Sequence, residues 1–198
     1  MTTTILLIRH ALHGHAGHIL TGRMKGVELT VEGQEQARSL GRRLQAEPLA
    51  AVHSSPALRT RRTADEVARL HGVEVEAVDA LAEVDFGEWT GRTFAELEGD
   101  IRWHVWNNQR ASARAPGGES MAEVQRRAWS HLTTMANSFA GAVVAVVSHC
   151  DVIRAVIAKV LGLSLDHLLR FDIEPASISR IAMGNWGARV ATINECNA

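Results

Sequence analysis

The sequence predicts an α/β fold, a three-layer sandwich with a mostly parallel central sheet flanked by helices. Three observations carry that prediction. Two short runs, Ile5-Leu6-Leu7-Ile8 and Val143-Val144-Ala145-Val146-Val147, are apolar without alternation, as strands buried on both faces are. Helical patterns with caps alternate with strand-like runs along the chain. The chain has 198 residues, 46% apolar and 22% charged, which fits a single domain over 1–198 able to bury a core without disulfides or metal.

The elements follow in order. Ile5–Ile8 is the first strand. Residues 11–26 carry four glycines and no clean period, and read as a long loop. Thr30 is the expected N-cap of a helix whose apolar stripe is Ala37, Leu40 and Leu44. Ala50–His53 is a short strand. Ser55-Pro56 reads as an N-cap with proline at the first helical position, and that helix runs through Leu58, Val67 and Leu70 to Gly72. Val73–Val78 alternates apolar and acidic, as a half-exposed strand does. Residues 79–118 read as irregular, with a short lid-like insertion around 85–118 that holds Trp89, Trp103 and Trp106 and closes at Pro116-Gly117-Gly118. Ser120 and Glu123 have capping-box spacing and open a long helix marked by Met121, Val124, Ala128, Leu132 and Phe139. Strand Val143–Val147, a helix from Asp151 to Leu161 stopped by Gly162, and closing strands Ser177–Ala182 and Arg189–Ile193 complete the chain.

Charge and composition exclude several function classes. A formal net charge of -1 argues against nucleic acid or an acidic membrane surface as the main partner. No apolar stretch reaches membrane-spanning length. Cys150 and Cys196 form neither a disulfide framework nor a ligand spacing, and Met1-Thr2-Thr3-Thr4 lacks a basic leader, so a cytoplasmic location is expected.

Four pieces suggest chemistry. Both buried strands run into a histidine, His10 after Arg9 and His149 after Ser148, at the carboxyl edge where open α/β sheets bind ligands. A neutral imidazole held in one tautomer is a competent nucleophile, and an arginine beside it suits phosphate oxygens. In Ser54-Ser55-Pro56-Ala57-Leu58-Arg59-Thr60-Arg61-Arg62 a helix begins after a strand, so Arg59 is placed for an anion, whereas Arg61 and Arg62 read as solvated. Glu83, Asp85 and Glu88 alternate with apolar residues, and any of them, if desolvated, would serve as a general acid. His149 faces the first histidine's strand end. Two alternatives stay open on the residues alone: a metal site at His13, His15 and His18, and Cys150 as a nucleophile.

Taken in order, Leu7-Ile8-Arg9-His10, Ser54-Ser55-Pro56 with Arg59, Glu83 to Trp89, Pro116-Gly117-Gly118-Glu119-Ser120 and Val147-Ser148-His149 resemble the histidine phosphatase superfamily, the phosphoglycerate mutase-like family, over nearly the whole chain. The resemblance implies the phosphoglycerate mutase-like fold and a phosphatase acting on a small phosphate ester without cofactor or metal. His10 would be the nucleophile, Arg9, Arg59 and His149 would hold the phosphoryl oxygens, and Glu83 would be the acid and then the base. Thr21 and Gly22 would contact substrate. The runner-up is mutase-type phosphotransfer, and a non-catalytic phospho-ligand binder is a third reading. Relatives often form homodimers, and no feature of this sequence decides that point. The chain departs from the family at Ala11-Leu12-His13, at Ala16, which replaces an asparagine, and at Cys150, where glycine is common. These changes bear on the substrate more than on the chemistry.

Overall fold

The computed structural model describes residues 1–196. A six-stranded sheet has the order β3-β2-β4-β1-β5-β6. Four strands are parallel: β1 (Thr3–Arg9), β2 (Leu49–Ser54), β3 (Val75–Ala77) and β4 (Val143–Ser148). The closing hairpin adds β5 (Ile178–Gly184), antiparallel to β1, and β6 (Gly187–Glu195), antiparallel to β5.

Both faces of β1 are covered, which is why its sequence does not alternate. Leu6 and Ile8 pack with Ala37, Leu40, Leu44, Ala64 and Val67 of α1 (Val31–Leu44) and α2 (Leu58–Arg69). Ile5 and Leu7 face the opposite layer, with residues such as Val124 and Leu132 of the long helix Met121–Ser138 and Val156 of the helix Cys150–Leu161. The expected caps form. Thr30 Oγ1 accepts from Gly33 N at 2.9 Å. Ser120 and Glu123 make both bonds of a capping box. Gly162 takes the left-handed conformation (φ 66°) that ends the last long helix.

Two expectations are corrected. Helix α2 starts at Leu58, with Ala57 at the cap and no side-chain cap bond, rather than at Ser55-Pro56. Ser55 Oγ lies 2.7 Å from His149 Nε2 and takes only a long bond, 3.4 Å, from Ala57 N. The 79–118 segment is also more ordered than its composition suggested. It holds two 3-10 turns and the short helices α3 (Phe94–Leu97) and α4 (Ile101–Asn108), so the helices Met121–Ser138 and Cys150–Leu161 are α5 and α6. Trp89 and Trp106 are fully buried against each other (ring centroids 6.1 Å) and form the segment's own core. Of the tryptophans expected to line a lid, only Trp103 borders the cavity described next.

Candidate active site

Strand register assembles the site. Arg9 pairs with Ser148 across the parallel β1–β4 ladder, so His10 and His149 leave adjacent strands at the same level. Ser54 pairs with Val147, which brings Ser55 to that level on the other side of β4. The His10 and His149 rings lie 5.3 Å apart between centroids, edge to face at an interplanar angle of 64°.

Hydrogen bonds fix both tautomers. His10 Nδ1 lies 2.8 Å from the Ala11 carbonyl, which can only accept, so the proton is on Nδ1 and the Nε2 lone pair is free. Burial, together with the Arg59 and Arg9 charges, pushes the His10 pKa well below the usual histidine range, so the ring is neutral. His149 Nδ1 accepts from Arg59 Nη2 at 3.1 Å, because a guanidinium only donates. His149 Nε2–H therefore donates to Ser55 Oγ, 2.7 Å away. Burial first, then Arg59, also holds His149 well below its ordinary value.

Two arginines supply the charge. Arg59 is 1% exposed, and its Nη2 also donates to the Gly22 carbonyl at 2.8 Å, while its Nε and Nη1 are buried without a partner. Arg9 Nη1 donates to the Ile173 carbonyl at 2.6 Å, and its Nε is likewise buried and unpartnered. Neither forms an ion pair with a carboxylate among the described residues. For the buried Arg59 above all, a cation left this way is costly unless an anion completes it.

Glu83 is the carboxyl that reaches this place. Its side chain is 13% exposed and its Oε2 stands 3.8 Å from His149 Nδ1. Burial and the nearby Asp151 charge push its pKa up to about 7 against the opposing Val84 N–H bond and the Arg59 and Arg127 charges. Its main chain is clamped, since the Glu83 carbonyl accepts from Arg23 Nε at 2.9 Å and from Arg127 Nη2 at 3.1 Å. Glu119 ties the clamp together. It accepts from Arg23 at 2.8 Å, from Arg127 at 2.9 and 3.0 Å, and from the Asp85 N–H at 3.0 Å. Asp85 is turned away into its own bond with Gly87 N, and Glu88 is exposed beside Arg102. The Pro-Gly-Gly run has a backbone reason: a Cβ on Gly118 would lie 2.1 Å from the Asp85 carbonyl, so the two segments cross main chain to main chain.

A cavity of about 270 Å³ is bordered by Arg9, His10, Thr21, Glu83, Arg110 and Asp151, among others. A larger cleft of about 710 Å³ adjoins it, sharing Gly22 and Glu83 and bordered also by Ser55 and His149. All seven residues singled out in the sequence therefore gather at one place. Thr21 and Gly22 both border the cavity, and Gly22 also gives its carbonyl to Arg59. Arg62 is solvated as expected, whereas Arg61 is only half-solvated, and both border the larger cleft with Lys25.

A family model described as "Histidine phosphatase superfamily (branch 1)" matches residues 5–196. The chain belongs to the histidine phosphatase superfamily. Phosphoserine phosphatase 1 of Hydrogenobacter thermophilus is 32% identical over 186 residues, 90% of this chain and 86% of that protein. A probable phosphoglycerate mutase, GpmB, of Salmonella choleraesuis is 32% identical over 157 residues, 77% of this chain and 72% of that protein. Among solved structures, Bacillus stearothermophilus YhfR superposes with a TM-score of 0.91 at 28% identity, covering 98% of each chain.

Several residues of this histidine phosphatase that matter to the site carried no clear signal in the sequence. Ser55 looked like a helix cap. Glu119 stood in the Pro116–Ser120 motif without an assigned role, and Arg127, two turns further along α5, was not singled out. Arg110 is 6% exposed and paired with Asp151 at 3.1 Å. With His15 and His18, His13 left a metal site open on the sequence. His13 is buried 5.2 Å from the His10 ring, and its pKa is pushed down to about 4 by burial and the two arginines. Its Nδ1 accepts the His15 N–H at 3.3 Å, which leaves the proton on Nε2. His15 is half-buried and His18 exposed, and among the described residues no group of three or more His, Cys, Asp or Glu is arranged to hold a metal ion. Cys150 borders the cavity with its thiol pushed up to about 11 by burial and Asp151, the wrong direction for a nucleophile.

These shifts predict an acid-sensitive fold. His10, His13, His53, His131 and His149 all have native pKa values lowered, burial being the first cause in each. Below about pH 6.5 the unfolded chain takes up protons that the native state does not, so stability falls as pH drops. Glu83, raised to about 7, acts in the opposite sense with one proton. The urea midpoint is therefore expected to fall steadily from about pH 7 to about pH 5. A flat or rising midpoint contradicts the burial of neutral imidazoles.

Proposed function

We propose that this chain is a metal-independent phosphomonoesterase of the cytoplasm that acts on a small organic phosphate through a phosphohistidine at His10. One observation carries the reading: a neutral imidazole with a free Nε2 lone pair sits beside the buried Arg59 and the half-buried Arg9, neither of them ion-paired with a carboxylate among the described residues. Such a place suits a dianionic phosphoryl group.

The His10 Nε2 lone pair attacks phosphorus and the ester P–O bond breaks. Glu83, protonated below its raised pKa, gives its proton to the leaving oxygen. The Glu83 carboxylate then takes a proton from water, which attacks phosphorus as the P–N bond breaks, and the resting state returns. Phosphoryl transfer asks mainly for in-line positioning and charge stabilisation. Arg9 and Arg59 supply positive charge that metal ions supply elsewhere, so the scheme calls for none. A bound dianion also favours the imidazolium form of His149, which then turns an Nδ1–H toward a phosphoryl oxygen.

Release of alcohol and phosphate from a chromogenic phosphate ester in excess chelator tests the reading. Turnover unaffected by chelator is the expected result. An inert protein, or activity that returns only with added divalent metal, contradicts it. Supplying 3-phosphoglycerate and following both products separates the runner-up: isomer exchange faster than phosphate release assigns a mutase.

A further inference from the structure

Hydrolysis as derived above gives no task to one buried imidazole at the cavity. His13 is 7% exposed, its ring lies 5.2 Å from that of His10, and both border the 270 Å³ cavity. The main chain that carries it is held from behind by α1. The Leu12 carbonyl accepts from Thr30 N at 3.0 Å, and Leu12 N donates to Gln36 Oε1 at 3.0 Å. A Cβ on Gly33 would lie 2.0 Å from the Leu12 carbonyl oxygen, so the first turn of α1 rests directly on the backbone next to His13. His13 itself forms an antiparallel bridge with Leu29. The ring therefore stands on fixed backbone, although the segment around it is a loop.

The tautomer decides what the ring presents. Nδ1 accepts the His15 N–H, so the proton sits on Nε2. Among the described residues no protein atom accepts that proton. The nitrogen is not sealed in the interior either, so its N–H opens onto the cavity. Burial, then the Arg59 and Arg9 charges, keeps the ring neutral. A third cation there would be repelled by the two arginines, whereas a neutral donor is not. The ring separation is short enough for an oxygen of a phosphoryl group on His10 to bridge the two imidazoles. In phosphoryl transfer charge is spread over the equatorial oxygens, and a fixed N–H aimed at them stabilises the transition state. We infer that His13 is a further catalytic residue, whose Nε2–H donates to an oxygen of the phosphoryl group as it passes to and from His10. This inference rests on the phosphohistidine reading.

Two substitutions separate the N–H from the ring that carries it. His13→Phe keeps an aromatic ring and removes the donor, whereas His13→Gln places an amide N–H close to the position of Nε2. With a chromogenic phosphate ester, His13→Phe is expected to lose about 10²-fold in kcat/KM, and His13→Gln to stay at least about tenfold above it. Inhibition by vanadate, which presents the same array of oxygens, is expected to weaken in that order. A merely structural role would not single out glutamine, and thermal melts show that both variants are folded. If either fails to fold, the native protein supplies the reading. The nitrogen resonance of His13 Nε2, in protein with ¹⁵N-labelled histidine, is expected to shift when vanadate binds. Glutamine no better than phenylalanine in folded variants, or a resonance that vanadate leaves unmoved, overturns the inference and leaves the phosphatase reading standing. No turnover of any ester by the native protein overturns both.

Discussion

His10→Ala is expected to lower kcat by at least about 10⁴-fold on any phosphate ester while the protein remains folded. The ring is 4% exposed and its one side-chain hydrogen bond is to the neighbouring Ala11 carbonyl, so little of the scaffold depends on it. What disappears is, among the described residues, the one free imidazole lone pair beside the two arginines. His149 cannot replace it, because its Nδ1 accepts from Arg59 and its Nε2 is committed to Ser55. His13 cannot either, because its own Nδ1 accepts the His15 N–H. Steady-state kinetics beside a thermal melt check the prediction. Substantial residual turnover in a folded variant would mean that the nucleophile is elsewhere.

Glu83→Gln is expected to cost about 10²- to 10⁴-fold and to change the pH dependence as well as the rate. Transfer to His10 needs the protonated carboxyl and is favoured below a pKa of about 7. Hydrolysis of the phosphoenzyme needs the carboxylate and is favoured above it. In the native enzyme the phosphorylated fraction at steady state is therefore expected to be larger at about pH 6 than at about pH 8. Glutamine retains the size but neither protonation state, so this dependence is lost. Rapid-quench measurement of bound phosphate at the two pH values reads it directly. An unchanged pH profile in Glu83→Gln removes that residue from proton transfer.

Much of the scaffold was legible because local signals and packing agree. Ile5–Ile8 and Val143–Val147 lack alternation since helices cover both faces of the sheet, and Thr30, Ser120 and Gly162 do at the helix ends what their types favour. His10 and His149 were readable as strand-end residues, but their closeness depends on a register that no local pattern specifies. The α2 start was misplaced because Ser55, a good cap by type, lies 2.7 Å from His149 Nε2 and takes only a long bond, 3.4 Å, from Ala57 N. The 79–118 segment hid its order because its helices are short and rest on tryptophan packing rather than on a long periodic stripe. Choosing Glu83 over Asp85 and Glu88 needed the family resemblance. In the structure the physical difference is burial, with Arg23, Arg127 and Glu119 fixing the segment from distant parts of the chain.

The covalent state of the protein during turnover tests the central claim most directly. After brief exposure to a ³²P-labelled phosphate ester and denaturing quench, label is expected on the peptide containing His10, lost in acid and stable in alkali, as a phosphoramidate is. Label on Cys150 or Ser55, or steady turnover with no protein-bound phosphate at any quench time, contradicts it.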